Sequence, residues 1–191
     1  MIWFVLCSGP SLTPEDIELV RLERLADRAR VVAVNSTVFS VPFADVCFGW
    51  DHTWWKTYGE RVKCRKVSTS VNCATYGVEI VKGGPGAFNE NWVCGNNSGH
   101  RAITYAYTQA AKPVELVLMG FDCQHVDGRA HHHADHPAPM GNAENPHKWA
   151  RAAVNLADGL RDAGAVVTNC SPLTALDCFP VMTLEKYLGK R

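Results

Sequence analysis

The chain has no apolar run long enough to span a bilayer, so no transmembrane helix is predicted. It has no charge of either sign to spare: 19 Lys and Arg stand against 19 Asp and Glu. No long-range field therefore draws it to nucleic acid or a lipid surface, and neither is expected as a partner. The one basic stretch, 61–66, is short and reads as a solvated surface. None of the eight cysteines forms a C-x-x-C pair, which argues against a zinc site built from them. The start, Met1-Ile2-Trp3-Phe4, lacks the basic region and small-residue cleavage site of a secretory signal. The expectation is a cytoplasmic protein whose thiols serve as small core hydrophobes. The G-x-G-x-x-G fingerprint, the Walker G-K-[ST] motif and any internal repeat are missing as well.

What is present is an alternation of short apolar runs with helical periodicity. Strands are predicted at 2–7, 31–34, 46–49, 66–69, 115–119 and 166–169, and helices near 14–28, 54–58, 100–111 and 146–163. In the last helix Trp149, Ala153, Leu156 and Leu160 recur at three- and four-residue spacing, and Gly164 supplies a stop. Such alternation predicts one α/β domain over residues 1–191, a Rossmann-like, mostly parallel sheet flanked by helices on both faces. Residues 72–95, rich in Gly and aromatics, read as a loop or short edge structure. Residues 124–145 form the longest irregular stretch and hold five of the eight histidines, so they read as a lid or binding loop.

Two segments point to an anion site. Ser8-Gly9-Pro10-Ser11 follows the first apolar run, and Thr13-Pro14-Glu15-Asp16 then opens a helix with a capping box. Asn96-Asn97-Ser98-Gly99-His100 lies between a Gly-rich loop, Gly83-Gly84-Pro85-Gly86, and an Ala-rich helix. Free N–H groups and the dipole at such a helix start suit a phosphate or carboxylate. Asp122 lies just past a strand end, where open α/β sheets place ligands, although a simple cap would also explain it.

The ordered set Ser8-Gly9-Pro10-Ser11-Leu12, Val34-Asn35, Asp51 with Trp54-Trp55, Ser98-Gly99, Leu118-Met119-Gly120-Phe121-Asp122 and Asn169-Cys170-Ser171-Pro172 resembles bacterial CMP-sialic-acid-dependent sialyltransferases. It is also similar to the related 6-hydroxymethylpterin diphosphokinase group and to bacteriophage proteins of the same superfamily. The resemblance runs from Ile2 to about Phe179. It implies a nucleotide over the strand ends, contacted by Ser8, Gly9, Pro10, Ser11, Asn35 and Asp51. Asn97, Ser98 and Gly99 would lie against the donor phosphate. It places a general base at His147, just ahead of the last long helix, where an imidazole is able to take a proton. His133 and Asp122 are the other candidate catalytic residues.

Two departures bear on the chemistry. The tyrosines that hold the leaving phosphate in the sialyltransferases are missing between Asp122 and His147; His125, His131, His132, His133, Asp135 and His136 stand there instead. These histidines could bond a phosphate, sit solvated, or bind a metal: His131 and His133 with Asp135 or His136 suit Zn²⁺ or Mn²⁺. Asp51 replaces an amide, and a carboxylate near phosphates implies Mg²⁺, carried by Asp51 with Asp122. The leading expectation is a transferase using a nucleotide-activated donor, resembling a glycosyltransferase, with an unknown acceptor and no required cofactor. A Mg²⁺-dependent phosphoryl or diphosphoryl transferase and a nucleotide-binding protein without turnover stand beside it. Residues 176–188 are expected to cap the fold or to make a homo-oligomer contact.

Overall fold

The computed structural model describes residues 1–84 and 86–190, so Pro85 of the Gly-rich loop lies outside the described residues. The chain runs β1 (Ile2–Leu6), α1 (Pro14–Leu25), β2 (Ala29–Val34), β3 (Val46–Phe48), α2 (His52–Tyr58), β4 (Arg65–Ser68) and β5 (Glu79–Ile80). It continues with α3 (Ser98–Gln109), β6 (Glu115–Met119), α4 (Pro146–Asp162), β7 (Val166–Asn169) and α5 (Leu184–Leu188). One seven-stranded sheet in the order β5-β4-β3-β2-β1-β6-β7 results, and every pairing in it is parallel. The architecture is the expected α/β, Rossmann-like one, and parallel throughout rather than mostly so.

Both faces are covered because strand side chains alternate. On β1, Ile2, Phe4 and Leu6 join one core, with Val20 of α1, Trp54 and Trp55 of α2 and Leu184 of α5. Val5 points the other way, into a core shared with Ile103 and Tyr105 of α3 and Leu156 and Leu160 of α4. Each such fully buried aliphatic or aromatic side chain contributes roughly 2 kcal/mol. With both faces buried, most strands read as apolar runs, and six of the seven stood out in the sequence.

Local chemistry sets the helix ends. Thr13 and Asp16 close the capping box at α1, with Pro14 in its first turn. Asp51 caps α2, accepting from the Trp54 amide at 3.0 Å. α4 stops at Gly164, whose φ of +75° suits a residue without Cβ. Residues 72–95 contain the two-residue edge strand β5, a 3-10 turn over Val71–Tyr76 and an isolated bridge between Gly83 and Val93. The C-terminal segment caps its own fold: α5 buries Leu184 and Tyr187, and Val181 bridges to Asn169 beside β7. Among the described residues no helix is long and apolar enough to cross a membrane.

The strand order fixes where a ligand can enter. The chain moves outward from β1 through β2 to β5, then returns to the other side of β1 with β6 and β7. The loops after β1 and β6 therefore diverge, opening a crevice at their C-terminal ends.

Candidate functional site

A cavity of about 890 Å³ fills that crevice. Ser8 and Gly9 after β1, Asn35 after β2, Trp50 and Asp51 after β3, and Asn97, Ser98 and Gly99 at the start of α3 all line it. Residues of the 124–145 loop, His131 and His136 among them, form the facing wall, and Lys148 and Trp149 of α4 complete it.

The floor is a close backbone contact. The Cys7 amide donates to the Met119 carbonyl and the Gly9 amide to the Gly120 carbonyl, each at 2.8 Å. A Cβ at Gly9 would run into the Gly120 carbonyl and the Asp122 carboxylate, so only glycine fits. Behind this contact Asp122, 1% exposed, accepts from the Ser11 amide at 2.9 Å and from the Ser11 hydroxyl. Burial pushes its carboxyl above the ordinary value, while the Ser11 bonds pull the other way. Asp122 and Ser11 thus tie the two loops together from behind.

Asn35 opens a 3-10 turn with φ +49°, a left-handed conformation that Asn tolerates better than most residues. Its Oδ1 is buried without a hydrogen-bond partner. A strained polar residue with an unsatisfied acceptor on a cavity wall fits a ligand contact.

At α3, Asn97 is the cap and accepts from the His100 amide at 2.8 Å. Ser98 Oγ accepts from the Trp50 amide at 3.1 Å, which leaves its proton free to donate. Trp50, 40% exposed, lies over the Arg101 guanidinium at 4.1 Å. His100 also lines the cavity; it is 2% exposed, and neither ring nitrogen has a partner. Burial alone pushes it down to about 4, so at neutral pH it is an uncharged imidazole. Gly95, at φ +136°, makes room for it: a Cβ there would stand 2.6 Å from His100 Cβ.

The 124–145 loop is folded. Asp127 and Gly128 both have positive φ, and Val126 and Arg129 exchange backbone bonds across them, which makes a tight hairpin turn. The His132 amide donates to the Ser8 carbonyl at 2.9 Å, fastening the loop to the one after β1. Asn142 clasps the His136 backbone, accepting from its amide and donating to its carbonyl. His125 bonds the Ala143 carbonyl at 3.0 Å. His131 is pushed down to about 4, first by burial and then by His133 and His136, and His132 likewise by burial first.

No protein-family model, curated protein or solved structure matches this chain. The site therefore rests on its own geometry.

That geometry gathers Ser8, Gly9, Asn35, Asp51, Asn97, Ser98, Gly99, His131 and His136 around one space. Pro10, Ser11, Asp122, His133 and His147 are not among its described lining residues. Pro10 and Ser11 are buried behind the wall, and Asp122 acts as a tether facing away from the cavity, so it is not presented to a ligand jointly with Asp51. His147 is exposed in the first turn of α4, between the lining residues Pro146 and Lys148. Among the described residues no group of three or more His, Cys, Asp or Glu side chains stands ready around a metal ion. Among the residues that sequence reasoning missed are His100, Lys148 and Trp149. Trp149 lies on the apolar stripe of α4, and His100 falls within the singled-out stretch without a role.

Proposed function

We propose that this chain is a transferase acting on a nucleotide-activated donor, in the manner of a glycosyltransferase. The observation that carries the reading is the composition of the switch-point cavity. Three segments distant in sequence bring Ser8 and Gly9, Asn35, and Asn97 to Gly99 to its wall, the positions that the resemblance to sialyltransferases assigns to the nucleotide and its phosphate. The first turn of α3 offers amides and the Ser98 hydroxyl to an oxyanion. Asn35 offers a buried, unpaired amide oxygen to a base or ribose donor. Such donors favour charge that develops on a leaving phosphate.

His147, beside the lining residues of α4, serves as general base on the acceptor hydroxyl, reached from the solvent side. The Mg²⁺-dependent alternative is the weaker reading, because Asp122 is spent on Ser11 and, of that pair, Asp51 alone lines the cavity.

A thermal-shift screen of CMP, UMP, UDP, GDP, ADP and their sugar conjugates, with and without Mg²⁺, Mn²⁺ and Zn²⁺, tests the reading. A ligand specific to the folded state raises stability by RT ln(1 + [L]/Kd), about 2.7 kcal/mol at one hundred times Kd. A metal-independent shift with one nucleotide supports the transferase and identifies its donor class. A shift only with a triphosphate and Mg²⁺ transfers support to the phosphoryl transferase, and no shift with any of them refutes both. With the donor known, His147→Ala should abolish transfer and leave nucleotide affinity within about twofold; a large loss of affinity would refute its role as base.

A further inference from the structure

We propose that His131, His133 and His136 form a binding site for a transition-metal dication of the zinc class, with the fourth coordination position open to the cavity. The three rings make a closed triangle. Their centroids are 4.9 Å apart for His131 and His133, 5.3 Å for His131 and His136, and 5.2 Å for His133 and His136. A Zn²⁺–imidazole bond is about 2.0–2.1 Å long, and the ring centre lies about 1 Å beyond the nitrogen. Three imidazoles on one tetrahedral ion therefore hold their centres roughly 5 Å apart.

The triangle already has that size. As they stand the rings are stacked at 18° or tilted at 59°, and no three donors among the described residues are gathered as around an ion. A closed site requires the rings to turn a nitrogen each towards a common point.

The unpaired atoms are the second observation. His131 is 8% exposed, lines the cavity, and has both ring nitrogens buried without a partner; His133 Nε2 is buried and unpaired too. Each orphaned polar group costs about 1–3 kcal/mol, and a cluster of them calls for a partner. His133 Nδ1 bonds the Ala134 carbonyl at 2.7 Å, which assigns its proton to Nδ1 and leaves the Nε2 lone pair free. A ligand histidine makes this outer bond in most metal sites. The loop is pinned on both sides of the triangle, by His132 on Ser8 and by Asn142 on His136. A donor set of imidazoles selects Zn²⁺ and its neighbours over Mg²⁺. His131 and His136 face the cavity, so the remaining position meets water or an oxygen of a bound anion. The site stands independently of the transferase reading.

The test uses the untagged full chain stripped with EDTA. Zn²⁺ is titrated calorimetrically, and Co²⁺ is titrated by visible absorption. One equivalent should bind at about micromolar Kd or tighter, with the intense d–d bands of four-coordinate Co²⁺. His131→Ala and His133→Ala should each weaken binding at least about 100-fold, while His125→Ala, outside the triangle, should leave it unchanged. X-ray absorption of the Zn²⁺-loaded wild type should show three imidazoles, a readout that needs no variant to fold. The absence of saturable binding, fewer than two imidazoles, or affinity indifferent to His131→Ala and His133→Ala would overturn the proposal.

Discussion

Mild acid should destabilise this protein, in part through one buried side chain, His100. His100 is 2% exposed on the cavity wall, and burial is the sole cause that holds it at about 4 against an ordinary value of 6.5. In the unfolded chain it titrates near 6.5. A group depressed in the folded state contributes its full stability above the unfolded value and loses it as pH falls towards the folded value. At about 1.36 kcal/mol per pKa unit, the contribution lost is negligible at pH 7.5, about 2 kcal/mol at pH 5 and about 3 kcal/mol at pH 4. With a urea m-value of about 2 kcal/mol/M for a chain of this size, the midpoint should fall by about 1 M between pH 7.5 and pH 5 from this residue alone. The control is His100→Leu. Its ring nitrogens have no partners to lose, so the variant should be as stable as wild type at pH 7.5 within about 1 kcal/mol. It should then lose about 2 kcal/mol less on going to pH 5. Tryptophan fluorescence through urea titrations at pH 7.5, 6 and 5 measures both. Parallel pH dependence in wild type and variant, or collapse of the variant at neutral pH, would refute the reasoning.

Further outcomes follow from the loops around the cavity. Asp122→Ala leaves the Ser11 amide and hydroxyl buried without acceptors and should cost about 2–5 kcal/mol in urea denaturation; a loss under about 0.5 kcal/mol would show that the tether carries no load. Gly9→Ala must displace the Gly120 carbonyl or the Asp122 carboxylate and should lower the melting temperature by several degrees, since about 2–4 °C accompanies each kcal/mol at this length; an unchanged melting curve would contradict the close approach. Asn35→Ala removes an unpaired acceptor but places alanine at φ +49°, two opposing effects, so stability should change by no more than about 1 kcal/mol while calorimetric affinity for the nucleotide found in the screen weakens about tenfold or more; unaltered affinity would remove Asn35 from the site.

The sheet was readable because burial on both faces turns β1, β2, β3, β6 and β7 into largely apolar runs, and β4 was read as well, at 66–69, although it opens on Arg65 and Lys66. β5 escaped because two residues, Glu79 and Ile80, carry no period. The hairpin at Asp127-Gly128 did leave a signal, a dipeptide that favours two positive φ values, but it lay inside a stretch read as irregular. The site was half legible. Gly and Asn at strand exits announce themselves because their conformations are unusual. Asp122 does not announce its role, because its partner Ser11 stands 111 residues away and only the pairing of β1 with β6 brings them together. The burial of His100 is equally non-local: it depends on Gly95 bending past the first turn of α3. Trp149 obeys the helical period of α4 and yet faces the cavity, since periodicity selects a side of a helix and not what occupies it.

The strand order also governs how the molecule is made. β1 to β5 can pair in sequence as the first 80 residues emerge, each strand laid beside its predecessor. Until Glu115–Met119 is synthesised, the far side of β1 presents a bare parallel edge of five apolar-rich residues, Ile2–Leu6. Such an edge is a template for pairing with another chain, and long-range parallel pairing is slow to close it. The ligand crevice comes into being at the same moment as this closure, because one of its walls follows β1 and the other follows β6. An incomplete chain thus cannot bind, and aggregation during synthesis competes with the very step that creates the site.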